Sequence, residues 1–190
     1  MNENLGRHHD DELIELTLNG QREAFGLLVR KYQDRLYNGM VQILRSGPEA
    51  EDTIQEAFIL ALTKLHTFKG KSNFFTWLYR ISYNVAMTRL RRRKPTVSID
   101  SAVADVQLDF PDDQPLADDR LVKQERAKQL MEALDKMSEE HRAILVLREM
   151  EEMDYSEISE VLEMPIGTVR SRLHRARIQL RELLETMMEE

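Results

Sequence analysis

The sequence contains no cysteine. That absence excludes a disulfide scaffold, a thiol nucleophile and any Cys-liganded zinc site. Long apolar runs are also missing. The longest, residues 57–62, has six residues, against the roughly 20 that a membrane helix needs. The first twelve residues are polar and acidic and lack the apolar stretch of a signal peptide. The expectation is a cytoplasmic protein with no membrane insertion. Glycine and proline are scarce, seven and five in 190 residues, and no segment alternates apolar and polar residues as a half-buried strand does. Catalytic signatures are lacking too. Thr63, Ser138 and Ser171 stand three residues before His66, His141 and His174, which removes the Glu-x-x-His pattern of di-iron bundles. There is no His-Glu-x-x-His, no Gly-x-Gly-x-x-Gly and no P-loop. His8-His9 followed by Asp10-Asp11 has the chemistry to hold a metal ion, but a frayed terminus accounts for the same residues. Neither an enzyme nor a cofactor or metal is expected.

Charge is present in quantity and unevenly placed. The 27 Lys/Arg and 34 Asp/Glu leave a net charge of −7, which by itself argues against nucleic acid. Yet residues 69–94 hold eight basic residues and no acid, and residues 168–181 hold five arginines and no acid. Residues 100–119 hold seven aspartates and no base. Two basic segments in an otherwise acidic chain say more about partners than the total does.

The apolar residues recur at helical period, so the fold class is all-α. Asp10 or Asp11 can cap a first short helix that Gly20 ends. A second helix carries Phe25, Leu28, Val29, Tyr32, Leu36 and Ile43 on one face. Ser46-Gly47-Pro48 breaks it, and Pro48 suits the first turn of a third. There Ile54, Ala57, Phe58, Ala61, Leu62 and Leu65 form an amphipathic stripe. Ser72 or Asn73 can start a fourth helix that runs through Arg93. Pro95 then stops the pattern, and residues 95–118 read as an acidic, flexible tether. Fully stretched, it reaches roughly 80 Å at about 3.4 Å per residue. The expected layout is therefore two small helical domains, residues 1–94 and 119–190, joined by that linker. In the second, Ser138 caps a helix with Ile144, Val146, Leu147 and Met150 inward. Asp154 and Glu157 make a capping-box pattern. A turn at 164–167 leads to a long helix from Thr168.

Three constellations carry chemistry. A short helix, a tight turn and an Arg-rich second helix make a helix-turn-helix layout. Arg170, Ser171, His174 and Arg175 share a face on which Arg can read guanine edges. Residues 168–181 contain no acid that would neutralise it, so DNA binding is favoured over a solvated Arg face. The second constellation is aromatic. Six of the twelve aromatic residues, Phe68, Phe74, Phe75, Trp77, Tyr79 and Tyr83, interleave with or precede the first basic cluster. Rings that stack unpaired bases beside cations that hold the backbone suit single-strand binding, and about half the rings must be core in any case. Third, Asp52, Gln55, Glu56 and Ile59 share one helix flank, which taken alone reads as a solvated acidic face.

Together these residues resemble a bacterial RNA polymerase sigma factor of the extracytoplasmic-function, sigma-70 type. The resemblance rests on Asp52-Thr53-Ile54-Gln55-Glu56-Ala57-Phe58, on Phe74-Phe75-Thr76-Trp77-Leu78-Tyr79-Arg80-Ile81-Ser82-Tyr83-Asn84, and on Pro165-Ile166-Gly167-Thr168-Val169-Arg170-Ser171-Arg172-Leu173-His174-Arg175-Ala176-Arg177. It spans about residues 10–186. It implies that Asp52, Gln55, Glu56 and Phe58 grip the β′ coiled coil of core RNA polymerase, with the β flap as a further polymerase contact. It implies that Phe68, Lys69, Lys71, Phe75, Trp77, Arg80 and Asn84 open and read the −10 promoter element, Asn84 reading one flipped base. It implies that Thr168, Arg170, Ser171, His174, Arg175 and Arg177 read the −35 element. An anti-sigma factor is the further partner implied. Ser159 and Glu163 depart from the Ala and Gly usual at those places in the motif. A stand-alone helix-turn-helix regulator is the alternative, and it would need no aromatic loop.

Overall fold

The computed structural model describes residues 6–93 and 117–189, with side chains for residues 10–92 and 126–187. Among these residues there are eight α-helices and no strand. They are α1 (Gly6–Leu18), α2 (Arg22–Leu44), α3 (Gly47–Lys64), α4 (Phe74–Arg93), α5 (Ala117–Lys136), α6 (Glu139–Leu145), α7 (Tyr155–Val161) and α8 (Ile166–Glu189). A 3-10 turn, Leu65–Thr67, follows α3, and a π turn, Val146–Met150, follows α6. Residues 95–116, most of the expected tether, lie outside the described residues.

The helix ends follow from local chemistry. Gly20 has φ +96, a conformation that glycine adopts without steric cost. Its N–H bonds Thr17 O at 3.0 Å while Gln21 N–H bonds Leu16 O at 3.0 Å, the double bond of a Schellman stop. Ser46 caps α3 through Glu49 N, with Pro48 in the first turn. Asn73 Oδ1 accepts from Thr76 N at 2.7 Å and so caps α4. The start of α1 differs from expectation. It begins at Gly6, and Asp10 lies inside the helix rather than at its cap. The Asp10 carboxylate is instead drawn across to α2, where Lys31 Nζ stands at 2.7 Å and the Tyr32 hydroxyl donates to it. Burial, with that hydrogen bond second, pushes the Tyr32 phenol well above its usual range.

In the first half, α1, α3 and α4 pack around α2. Leu28, Leu36, Met40, Ile43, Leu65 and Leu78 are almost wholly buried between them. Two positions on the expected stripes turn outward. Leu62 of α3 is 40% exposed and Met150 is 44% exposed. The π turn explains the second: Glu151 N–H reaches back five residues to Val146 O at 3.0 Å, and the extra residue rotates Met150 off the inward face. In the second half, Ala143, Ile144 and Leu147 pack with Leu134 of α5, Ile158 of α7 and Val169 and Leu173 of α8.

The two halves also pack on each other, α2 against α6 and the π turn, and α4 against α7. Arg35 donates from Nε to Glu151 Oε2 and from Nη2 to Glu151 O, each at 2.8 Å. Glu151 is buried, and burial pushes its carboxyl up against the opposing pull of Arg35. Gly39 makes this approach possible. A Cβ there would stand 2.6 Å from Glu151 Oε1 and would also strike the Tyr79 hydroxyl. Tyr79 is fully buried and its hydroxyl finds no hydrogen-bond partner.

An orphaned buried hydroxyl costs about 1–3 kcal/mol. Tyr79→Phe keeps the ring and removes that cost. Its urea midpoint should therefore exceed the parent's by an amount worth about 1–3 kcal/mol. A lowered midpoint would show that the hydroxyl is bonded.

Candidate nucleic-acid interface

The helix-turn-helix is assembled by short-range bonds. Asp154 Oδ1 accepts from Ser156 N at 2.7 Å and Glu157 N at 2.9 Å, while Glu157 Oε2 accepts from Asp154 N at 2.9 Å. This is a complete capping box, and it starts α7 where the sequence pattern places it. After α7, Glu163 takes φ 51 in the left-handed region. Ser159 Oγ donates to Met164 O and ties the turn to the helix before it. Pro165 O then accepts from Thr168 N and Val169 N, at 2.8 and 3.0 Å. With those bonds α8 starts at Ile166, two residues before the expected Thr168. The two departures from the usual motif thus both bear on the turn: the serine bonds to it from α7, and the glutamate carries its backbone strain.

On α8, Val169, Leu173 and Ala176 are buried, whereas Thr168, Arg170, Ser171, His174, Arg175 and Arg177 are exposed. The Arg170 guanidinium lies 5.7 Å from the Tyr155 ring centroid, a contact that aligns it along the face. The expectation that this face meets no acid is corrected. Arg172 Nη1 lies 3.0 Å from Glu140 Oε2, and Arg177 Nη2 lies 2.6 Å from Glu149 Oε1. Both acids come from α6 and its π turn, outside the acid-free window. Both sides of the Arg177 pair are half exposed. Such a pair contributes only about 0–1 kcal/mol and yields readily to a phosphate.

The second surface is a groove between α3 and α4, with a cavity of about 460 Å³. Asn84 and Arg80 line it from α4, with Trp77 at its base and Lys64, Thr67 and Thr88 around it. Glu163, from the turn of the helix-turn-helix, closes one side. Of the seven residues expected here, Lys69, Lys71 and Asn84 are exposed and Arg80 is half-buried. Phe68 does not line the cavity. Its ring packs on Phe74 and Trp77, with centroids 5.7 and 5.4 Å apart. Phe75 faces away from the groove, in contact with Tyr32 and Tyr79 and with Arg35 4.1 Å from its ring centroid. Trp77 is 95% buried, so it can offer a base only an edge. Lys64, Thr67 and Thr88 were missed in the sequence. Lys64 shares a helix face with Leu60, another cavity residue, a spacing that could have found it. Burial pushes the Tyr83 phenol on α4 up to about 12, with Glu140 adding to the shift.

The third surface is the outer flank of α3. Asp52, Gln55 and Glu56 are exposed, and Ile59 beside them is 67% exposed. Phe58 is buried and meets Phe25 edge-on, 6.4 Å between centroids. Arg89 of α4 spans the flank, 2.8 Å from Glu56 Oε2 and 3.4 Å from Asp52 Oδ2.

Residues 28–96 match the family described as Sigma-70 region 2, and residues 127–180 match Sigma-70, region 4. An RNA polymerase sigma-H factor from Pseudomonas aeruginosa is 36% identical over 193 residues, which cover 98% of this chain and 99% of that protein. The ECF RNA polymerase sigma factor SigW of Bacillus subtilis is 34% identical, over 92% of this chain and 96% of its own length. Among solved structures, the sigma factor RpoE of Bartonella quintana, crystallised with the anti-sigma factor NepR, aligns with a TM-score of 0.66 at 24% identity, covering 85% of this chain and 96% of that one. CnrH in complex with the cytosolic domain of CnrY aligns at 0.63 and 24%, covering 94% and 98%. These structural likenesses concern the fold.

The turn supplies a direct test. A non-glycine residue in the left-handed region costs about 1–2 kcal/mol, and glycine recovers part of this after its own entropy cost. Glu163→Gly should therefore raise the urea midpoint by an amount worth about 0.5–1 kcal/mol. A lowered midpoint would show that the Glu163 side chain stabilises the turn more than its backbone strains it.

Proposed function

The chain belongs to the extracytoplasmic-function group of the sigma-70 family, and on that premise we propose how its surfaces divide the work of starting transcription at a promoter. It is a DNA-binding partner of core RNA polymerase that directs promoter-specific initiation. It supplies recognition and strand opening and takes no chemical step; RNA synthesis belongs to the polymerase. Residues 1–94 form the polymerase-docking and −10 unit, and residues 119–190 form the −35 unit.

The observation that carries this reading is the division of α8, where Val169, Leu173 and Ala176 are buried while Thr168, Arg170, Ser171, His174, Arg175 and Arg177 stand outward. Arg170, Ser171, His174 and Arg175 present donors to base edges in the major groove, and Thr168 and Arg177 reach phosphates. The groove between α3 and α4 receives an unpaired base. Asn84 offers both a donor and an acceptor to its edge. Arg80, Lys69 and Lys71 hold the backbone, while Phe68, Phe75 and Trp77 stiffen the walls from within. Opening the duplex costs a few kcal/mol, which such contacts must offset. The flank of Asp52, Gln55 and Glu56, with Ile59 as its apolar centre and Phe58 beneath, docks on the polymerase. The Bartonella structure pairs its sigma factor with an anti-sigma factor, and a partner of that kind is proposed here too. Its work on promoters places the chain in the cytoplasm.

Arg170→Ala and Arg175→Ala should each weaken holoenzyme binding to a promoter fragment by about 1–3 kcal/mol and relax base preference on the −35 side. Selection from a randomised −35 library reads the outcome. Parent-like preference in both variants would remove base reading from α8.

Asp52→Arg combined with Glu56→Arg should abolish co-purification with core polymerase while the helical circular dichroism stays normal. Undiminished affinity for core polymerase would return this flank to a plain solvated face.

A further inference from the structure

We propose that Arg89 of α4 is a positioning residue for the polymerase-docking flank: it bridges Asp52 and Glu56 and holds both carboxylates at one spacing, ready for cations of the polymerase. This rests on the assignment of that flank to docking.

Asp52 and Glu56 stand four residues apart on α3, so their carboxylates share a face and repel each other. Left to themselves they would splay. The Arg89 guanidinium reaches across from α4 and stands between them. Nη1 lies 3.4 Å from Asp52 Oδ2, and Nη2 lies 3.4 Å from Asp52 O and 2.8 Å from Glu56 Oε2. A planar fork with donors on both arms suits this task, and a compact ammonium does not. Each carboxylate meets Arg89 through one oxygen, and an ionised carboxylate accepts on both. Asp52 Oδ1 and Glu56 Oε1 take no part in these bonds and can receive a partner's cation. The bridge therefore orders the two acids without using them up.

Two observations separate this role from one in the fold. Arg89 Nε is buried and has no hydrogen-bond partner. An orphaned donor costs stability, and exposed pairs such as those to Asp52 and Glu56 restore little of it. The arginine thus sits where it does at some cost to the fold. Glu56, moreover, lines the α3–α4 cavity together with Lys64 and Arg80. Those cations would draw a released Glu56 inward, and Arg89 holds it on the flank.

Charge alone predicts the opposite effect of losing Arg89. Arg89→Met keeps an apolar stem and removes one positive charge from a chain of net −7, which makes the flank more attractive to a cationic partner. Positioning predicts that the full chain then binds immobilised core RNA polymerase about tenfold more weakly, because two long side chains must be ordered at docking. Biolayer interferometry reads the affinity. The same substitution in an Asp52→Asn/Glu56→Gln background should change affinity little, since Arg89 acts through those carboxylates. Arg89→Lys should recover only part of the loss, since a point charge does not span both acids. Circular dichroism checks the fold, and if Arg89→Met costs helicity, Arg89→Gln takes its place. Parent-like or tighter binding by Arg89→Met, an equal loss in both backgrounds, or full recovery by Arg89→Lys would each overturn the positioning role. A failure of the docking assignment is seen separately: Asp52→Asn/Glu56→Gln with Arg89 intact would bind core polymerase as well as the parent, and the positioning role would fall with it.

Discussion

The Glu157 carboxylate serves two helix starts at once. One oxygen closes the capping box of α7 by accepting from Asp154 N, and the other accepts from Asn73 and Thr76 at the first turn of α4. Asn73 in turn caps α4. The order of the helix-turn-helix and the order of the groove-forming helix therefore meet in one side chain. Because both helix starts are anchored there, the placement of α7 on α4 is set by the same few bonds.

Electrostatics explains why a chain of net charge −7 can act on DNA. Long-range attraction is weak or adverse, so affinity cannot come from the total. It must come from local donors held in register, and those are concentrated on α8 and at the start of α4. Two of the α8 arginines lean on Glu140 and Glu149, and two of the acids on α3 lean on Arg89. Each is an exposed pair of little intrinsic stability. Such pairs keep surfaces ordered in the free chain at small cost, and those of α8 exchange readily for a partner's charges.

Helix content, the capping box at Asp154 and the Gly20 stop were legible in the sequence because each is a short-range pattern. Composition also located the outward cations of α8, since no other inward residue competes for those positions. What escaped was long-range. The pairing of Arg177 with Glu149 depends on how α6 lies against α8, and an acid-free window in sequence says nothing of neighbours in space. The inward turn of Phe75 depends on Tyr32 and Arg35 of α2. The outward turn of Met150 depends on one extra residue in a π turn, which periodicity counted at 3.6 cannot register. Asp10 looked like a cap because its partners, Lys31 and Tyr32, lie on another helix.

The account stands or falls on whether recognition belongs to the chain on its polymerase. The direct measurement is to combine the purified full chain with core RNA polymerase on a randomised promoter library and to sequence the transcript starts. The account predicts initiation only when the chain is present, from sites that share one −10 and one −35 element at fixed spacing. Tight sequence-specific duplex binding by the chain alone, with no initiation when core polymerase is added, would contradict it.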